Sequence, residues 1–333
     1  MSAQLLPIPG FVDLQVNGYL GVDFSSPELT AETCAGACRQ MLQTGTAAFL
    51  PTIITSPLEV YRRNLPILAE VIAAPEFRGR LLGIHLEGPF LSDQPGAVGA
   101  HNPAWVRPAD ADLLSQLNTW AGGKIRILTL AAEVEGAEET ARRAVQEGML
   151  VSIGHTLATP ADLDRLFLAG ARTLTHLGNG LPALLPKFAN PLWAGLADER
   201  YTAMMIADGH HIPAGVLQVM LRAKGLDRSV VVSDAAPVAG MPPGRYLTLG
   251  NETILEPSGR LYNPAKGNLV GSSYTLTRCM NFLAGLVRWT LEDLLALGFY
   301  NPLHLLGINL EGLESKSRLY FDADRAEFRI QDA

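Results

Sequence analysis

Four short, apolar, β-branched runs each close on a residue that can bind a metal or carry a proton. LLGIHLEGPF holds Glu87, LVSIGHT holds His155, TLTHLGN holds His176, and VVVSDA holds Asp234. One carboxylate or imidazole at the end of a buried strand is ordinary. Four in succession, in a chain that alternates strands with helices, describe the C-terminal rim of a (β/α)8 barrel, where the loops after the strands build the active site. Glu, His and His with one carboxylate in reserve is also the ligand set of a catalytic zinc centre with an open position. The chemistry this predicts is hydrolysis by an activated water beside an acid/base.

Taken singly, His155 and His176 read equally well as histidines capping strand ends. On neighbouring strands, with Glu87 two strands earlier, they favour a shared cation. Alternation along His85-Leu86-Glu87 puts His85 and Glu87 on one face. An inward carboxylate is costly unless it is paired or binds a cation, and no basic residue stands at a strand end to pair with it. His85, deeper on the strand, reads as a supporting or core histidine. Asp234 can take a proton from the activated water and return it to a leaving group; the bland reading is a cap on the turn before Ala235-Ala236-Pro237. The first strand carries Gln15 and Asn17, where many metal hydrolases on this fold have His-x-His. Neutral amides bind Zn²⁺ poorly, so one metal is expected, with Gln15 free to hydrogen-bond the activated water. His101, in GAVGAHNP, is placed to polarise a substrate carbonyl or is simply a surface-loop histidine. In Asp208-Gly209-His210-His211 one histidine should face the pocket, and His304 gets no role.

The elements that must position these groups are legible from period and punctuation. Strands are expected at Gly10–Gly18, Ala47–Ile53, Arg80–Phe90, Ile125–Glu133, Leu150–His155, Thr173–Asn179, Thr202–Gly209 and Ser229–Ala235. Helical spacing marks Ala31–Gln43, Pro57–Ala73, Ala137–Glu147, Pro160–Ala169 and Pro213–Lys224. Thr159-Pro160 is a cap followed by a first-turn proline, and Gly148 and Gly170 stand where helices should stop. An open doubly wound sheet is the alternative, but Gly18-Tyr19-Leu20-Gly21 is too weak a phosphate loop to announce one. Met241–Val270, rich in Gly, Pro and Asn, suggests an irregular hairpin excursion before a helix starting near Ser272. The tail RLYFDADRAEFRI alternates like an exposed hairpin, so the expected organisation is a barrel over 1–314 and a short β tail over 315–333.

Nearly half of the 333 residues are apolar, and the net charge is −7, which argues against nucleic-acid binding and requires a local basic pocket for any anionic substrate. Cys34, Cys38 and Cys279 cannot make a disulfide framework and read as buried free thiols, with a Cys34–Cys38 metal pair the minor alternative. The opening MSAQLLPIPGF has no signal-peptide pattern, and no apolar run approaches the ~20 residues of a membrane span. A cytoplasmic protein is expected.

The segments PGFVDLQVNG (9–18), HLEGPF (85–90), AHNP (100–103), GHT (154–156), THLGNG (175–180), DGHHI (208–212), VSDA (232–235) and GSS (271–273) together resemble the N-acetylglucosamine-6-phosphate deacetylase family of the amidohydrolase superfamily. Each is weak alone; the ordered set is specific and spans nearly the whole barrel. The resemblance implies a TIM barrel of the amidohydrolase type with a reduced or absent β-sandwich appendage. It implies that Glu87, His155 and His176 hold one divalent ion, zinc first and iron or cobalt as alternatives. Asp234 would be the acid/base and His101 the partner of the acetyl carbonyl. Asn179, Gly180 and His211 would contact the sugar phosphate.

Three departures carry consequences. Family members begin with some fifty residues that build the small sandwich with the tail, whereas this chain starts at strand one, so that unit is expected to be absent or reduced to the part beyond Ser315. The family's phosphate-binding arginine falls at Lys187, a point charge without the bidentate fork. A bulkier residue is usual at Gly178. Since that basic residue can come from a neighbouring subunit, the resemblance also implies a homodimer. The alternatives left open are an unphosphorylated or epimeric N-acetyl amino sugar, a cyclic amide, or a catalytically inactive sugar-binding protein.

Overall fold

The structure, a computed structural model, describes residues 5–286, 289–309, 313 and 318–331. A first strand, β1 (Leu5–Ile8), stands apart from the main sheet. The sheet's eight strands are β2 (Phe11–Val16), β3 (Thr46–Ile54), β4 (Ile84–Glu87), β5 (Ile125–Leu130), β6 (Leu150–Ile153), β7 (Thr173–Leu174), β8 (Thr202–Ile206) and β9 (Ser229–Val232). Each pairs in parallel with the next. The ring closes at β2 and β9 through a parallel bridge between Val16 and Ala235, with Asn17 N–H donating to the Ala235 carbonyl at 2.8 Å. This is the expected barrel. Strands buried on both faces read as continuous apolar runs, and all nine residues of β3 are buried.

A helix follows every barrel strand: α1 (Ala31–Leu42), α2 (Leu58–Ala73), α3 (Ala111–Trp120), α4 (Ala137–Gln146), α5 (Pro160–Ala169), α6 (Pro191–Ala197), α7 (Ala214–Lys224) and α8 (Leu276–Ala284). The expected punctuation is present on α5, where Thr159 and Asp162 cap each other's backbone and Gly170 ends the helix at φ 108°. α3 and α6 went unread, although Asp110 caps α3 and Asn190-Pro191 opens α6 as Thr159-Pro160 opens α5.

The observed strands stop short of the expected ones wherever chemistry-bearing residues follow. Leu150–His155 becomes Leu150–Ile153, and Ser229–Ala235 becomes Ser229–Val232. The reason is backbone: His155 (φ 50°), His176 (φ 29°) and Asp234 (φ 50°) all lie in the left-handed region, three of the six non-glycine residues with positive φ among those described. Such a conformation costs roughly 1–3 kcal/mol each and ends the ladder by turning the side chain toward the barrel mouth.

The excursion after β9 is a small antiparallel sheet of β10 (Gly244–Thr248), β11 (Asn251–Leu255) and β12 (Leu261–Tyr262). The tail is a hairpin of β13 (Arg318–Asp322) and β14 (Glu327–Gln331), and β13 also pairs with β1. β1 was missed because its four residues include a proline and its partner lies some three hundred positions away. This three-stranded unit packs on the barrel through Phe328, edge-on to Phe11 at 4.9 Å, and through Asn281, which hydrogen-bonds the Phe328 backbone in both directions. The expected boundary at 314–315 lies outside the described residues. All three cysteines are buried and unpaired. Among the described residues no helix is long and apolar enough to cross a membrane.

Candidate active site

Glu87 ends β4, His155 follows β6 and His176 follows β7, and one ligand atom from each lies within 4.8 Å of the others. His176 Nε2 is 2.9 Å and His155 Nε2 3.3 Å from the same oxygen, Glu87 Oε1. Metal–ligand bonds of ~2.0 Å in a tetrahedron put ligand atoms about 3.3 Å apart, so the three groups fit one small divalent ion. His155 Nδ1 donates to the Ala97 carbonyl at 2.8 Å, which fixes its tautomer and leaves the Nε2 lone pair facing Glu87. Burial pushes the Glu87 carboxyl up, but the surrounding His155, His176 and His101 outweigh it and hold Glu87 well below the usual range. Burial lowers His176, while Glu87 raises it further, so its net shift is upward.

His101 sits on the loop after β4, its Nε2 3.2 Å from His155 Nε2 and 3.9 Å from Glu87 Oε2. Burial and the neighbouring His155 bring its pKa down to about 3, so the ring is neutral. In its Nε2–H tautomer, His101 presents a donor to the centre of the site. His85 is the supporting histidine expected: its two ring nitrogens reach the Leu14 carbonyl at 3.0 Å and Thr129 Oγ1 at 2.7 Å.

Asp234 stands opposite. Burial, then the Glu87 charge, raise its carboxyl to about 6, against smaller lowering by His176, His211 and Asn17. Asn17 Nδ2 donates to Asp234 Oδ1 at 2.7 Å. Four positions back, Asp13 accepts from Ser233 N–H at 3.1 Å and from the Ser233 hydroxyl. Neither role was read from the sequence, where Asn17 counted only as a poor ligand. The signal was available: by alternation Asp13 and Gln15 on β2 and Asn17 just past its end fall on one face. Gln15 Nε2 donates to Glu87 Oε1 at 3.0 Å, so it orients the candidate ligand and not a water.

A cavity of about 680 Å³ opens over these groups, ample for a monosaccharide, and Glu87, His101, His155, His176, Asn179, Gly180, His211 and Asp234 all line it. His211 is the pocket histidine of its pair; its Nδ1 is 2.7 Å from Asp208 Oδ2, and Asp208 also accepts the N–H groups of 210 and 211. Gly180 (φ 62°) cannot carry a side chain, since a Cβ there would meet His155 Nδ1 at 2.7 Å. At Gly178 (φ 95°) a Cβ would meet Met220 and Leu192 at 3.6–3.7 Å, residues of α7 and α6 outside the cavity wall. Lys187 is not brought together with the rest: it is exposed on the loop before α6, its Nζ 5.3 Å from the Phe188 ring centre, outside the cavity wall.

No protein-family model matches the chain. It is 35% identical over 337 residues to the N-acetylglucosamine-6-phosphate deacetylase of Bos taurus, a match covering 97% of this chain and 79% of that one. The N-acetylgalactosamine-6-phosphate deacetylase of Escherichia coli O157:H7 is 32% identical over 311 residues, 92% of this chain and 80% of that one. Among solved structures, a mutant Mycobacterium smegmatis N-acetyl-D-glucosamine-6-phosphate deacetylase in complex with N-acetyl-D-glucosamine-6-phosphate has a TM-score of 0.86 at 26% identity, over 98% of this chain and 85% of that one.

Proposed function

The chain belongs to the N-acetylglucosamine-6-phosphate deacetylase family, and we infer from that premise and from the site that it hydrolyses N-acetylglucosamine 6-phosphate to glucosamine 6-phosphate and acetate. The observation that carries the reading is the convergence of Glu87, His155 and His176 on one point, with Asp234 buried across the same cavity. A divalent ion held by those three residues supplies Lewis acidity and a nucleophilic water at neutral pH; zinc suits the donor set, as iron or cobalt would.

The chain's own groups do the rest. His101 donates its Nε2 proton toward the acetyl carbonyl oxygen as negative charge develops there. Asp234, held by Asn17, takes the proton of the attacking water and passes it to the nitrogen, because an amide anion is too basic to leave unprotonated. Asn179, Gly180 and His211 line the space for the sugar and its phosphate, with Asp208 orienting His211.

The partner we assign is a second copy of the chain. Leu184 and Phe188, 92% and 76% exposed, flank Lys187 on the loop before α6, and a homodimer through this loop would cover them and carry Lys187 toward the neighbouring cavity. Three buried, unpaired cysteines support a reducing, cytoplasmic setting. The test is acetate release from N-acetylglucosamine 6-phosphate, its galactosamine epimer and unphosphorylated N-acetylglucosamine. The highest kcat/KM is expected on the first. A higher value on the epimer would move the assignment to that sugar, and no advantage of phosphate would remove the phosphate from the substrate.

A further inference from the structure

The cavity that must accept an anionic sugar is itself lined by carboxylates, Glu87, Asp93 and Asp234. A phosphate monoester adds about −1.5 to −2 charge at neutral pH, more than one divalent ion sharing the site with these groups offsets. Among the described residues lining the cavity, one is a lysine or arginine, and it is Lys266.

Lys266 belongs to the Gly- and Asn-rich excursion after β9, which the hydrolytic mechanism leaves without a role. Its position is built rather than incidental. Asn263 Oδ1 accepts the N–H groups of Ala265 at 2.9 Å and Lys266 at 3.1 Å. Gly267 N–H donates to the Asn263 carbonyl at 2.8 Å, and Asn263 N–H to the Asn268 carbonyl at 2.9 Å. The turn closes at Gly267, whose φ of 73° suits glycine. Lys266 Nζ donates to Asn251 Oδ1 at 3.3 Å, and buried Asn251 in turn donates to the Ala100 carbonyl at 2.9 Å, one residue before His101. The ammonium is thus tethered by a neutral acceptor beside the catalytic loop. Among the described residues no carboxylate forms an ion pair with it, so its charge is left for a ligand.

We propose that Lys266 is the cation which each chain supplies within its own pocket to the phosphate of the substrate. The proposal rests on the deacetylase reading and differs from the trans role of Lys187. An ammonium binds phosphate as a point charge, remote from the bond that breaks, so its effect belongs in KM and not in kcat.

The experiment compares zinc-loaded wild type, Lys266→Met and Lys266→Arg on N-acetylglucosamine 6-phosphate and N-acetylglucosamine, with calorimetric binding of glucosamine 6-phosphate alongside. Lys266→Met should raise KM for the phosphorylated sugar about ten- to hundredfold, the range of one charged hydrogen bond. kcat should stay within about twofold, the unphosphorylated sugar should be unaffected, and Lys266→Arg should restore most of the affinity. An unchanged KM, or equal losses on both sugars, overturns the proposal. If wild type releases no acetate from either sugar, the deacetylase reading fails on its own. Calorimetry then still judges Lys266: tenfold weaker binding of glucosamine 6-phosphate by Lys266→Met supports its role, and equal affinity refutes it.

Discussion

On one side of the barrel mouth, Glu87, His155 and His176 rise from β4, β6 and β7, strands that each pair with neighbours on both sides. On the other, Asp234 follows β9, where backbone pairing with β2 shrinks to the bridge at Val16 and Ala235 and side chains do the stitching: Asp13 to Ser233, Asn17 to Asp234. The ligand arc is held by the sheet itself. Asp234, the proposed acid/base, is held across a seam by polar side chains that can be removed one at a time. The metal-binding and proton-transfer roles proposed for these groups should therefore be separable by mutation, although the groups face one cavity.

The sharpest break is Asp234→Asn. It should cost kcat ~10³-fold or more, since an amide cannot accept the proton, while metal per chain stays at the wild-type value. Glu87→Gln should instead lose metal and activity together, measured by elemental analysis of the purified protein. Loss of metal in Asp234→Asn would dissolve the distinction between arc and seam.

Next in size is pH. A carboxyl raised to about 6 must be ionised to act as base, so kcat/KM should fall tenfold per unit as pH drops below that value. A profile flat down to pH 4.5 would take proton transfer away from Asp234. Asn17→Ala should lower kcat about 10–100-fold, the usual cost of removing a residue that orients a catalytic group, with metal content unchanged.

Smallest is Asp13. Burial raises its carboxyl to about 7 against the Ser233 and Gln15 hydrogen bonds that lower it. A carboxyl raised on folding contributes stability that is fully present below its unfolded value of 3.8 and is lost as pH rises through 7. Thermal melts should therefore show wild type losing Tm relative to Asp13→Asn as pH goes from 5 to 8. A constant difference would mean that Asp13 stays ionised throughout.

The ligand arc was legible in the sequence and the seam was not, for a physical reason. Glu87, His155, His176 and Asp234 are residue types out of place after apolar runs, so type and position alone point to them. Asn17 and Asp13 matter through what lies across a barrel closure more than two hundred residues away, and only the shared face of β2 hinted at it. Strand ends were read too long because apolar pattern continues past the point where a left-handed residue leaves the ladder. Lys266 was invisible for a similar reason: its turn is local, but its place over the cavity depends on the Asn251 contact with the catalytic loop.

The most direct test of the account is anomalous diffraction at the zinc edge from crystals of the whole chain grown with zinc. One peak per chain is predicted, at ~2.0–2.2 Å from Glu87 oxygen and from the Nε2 atoms of His155 and His176, on the side facing Asp234. A structure with those three side chains turned apart and no anomalous peak among them would contradict it.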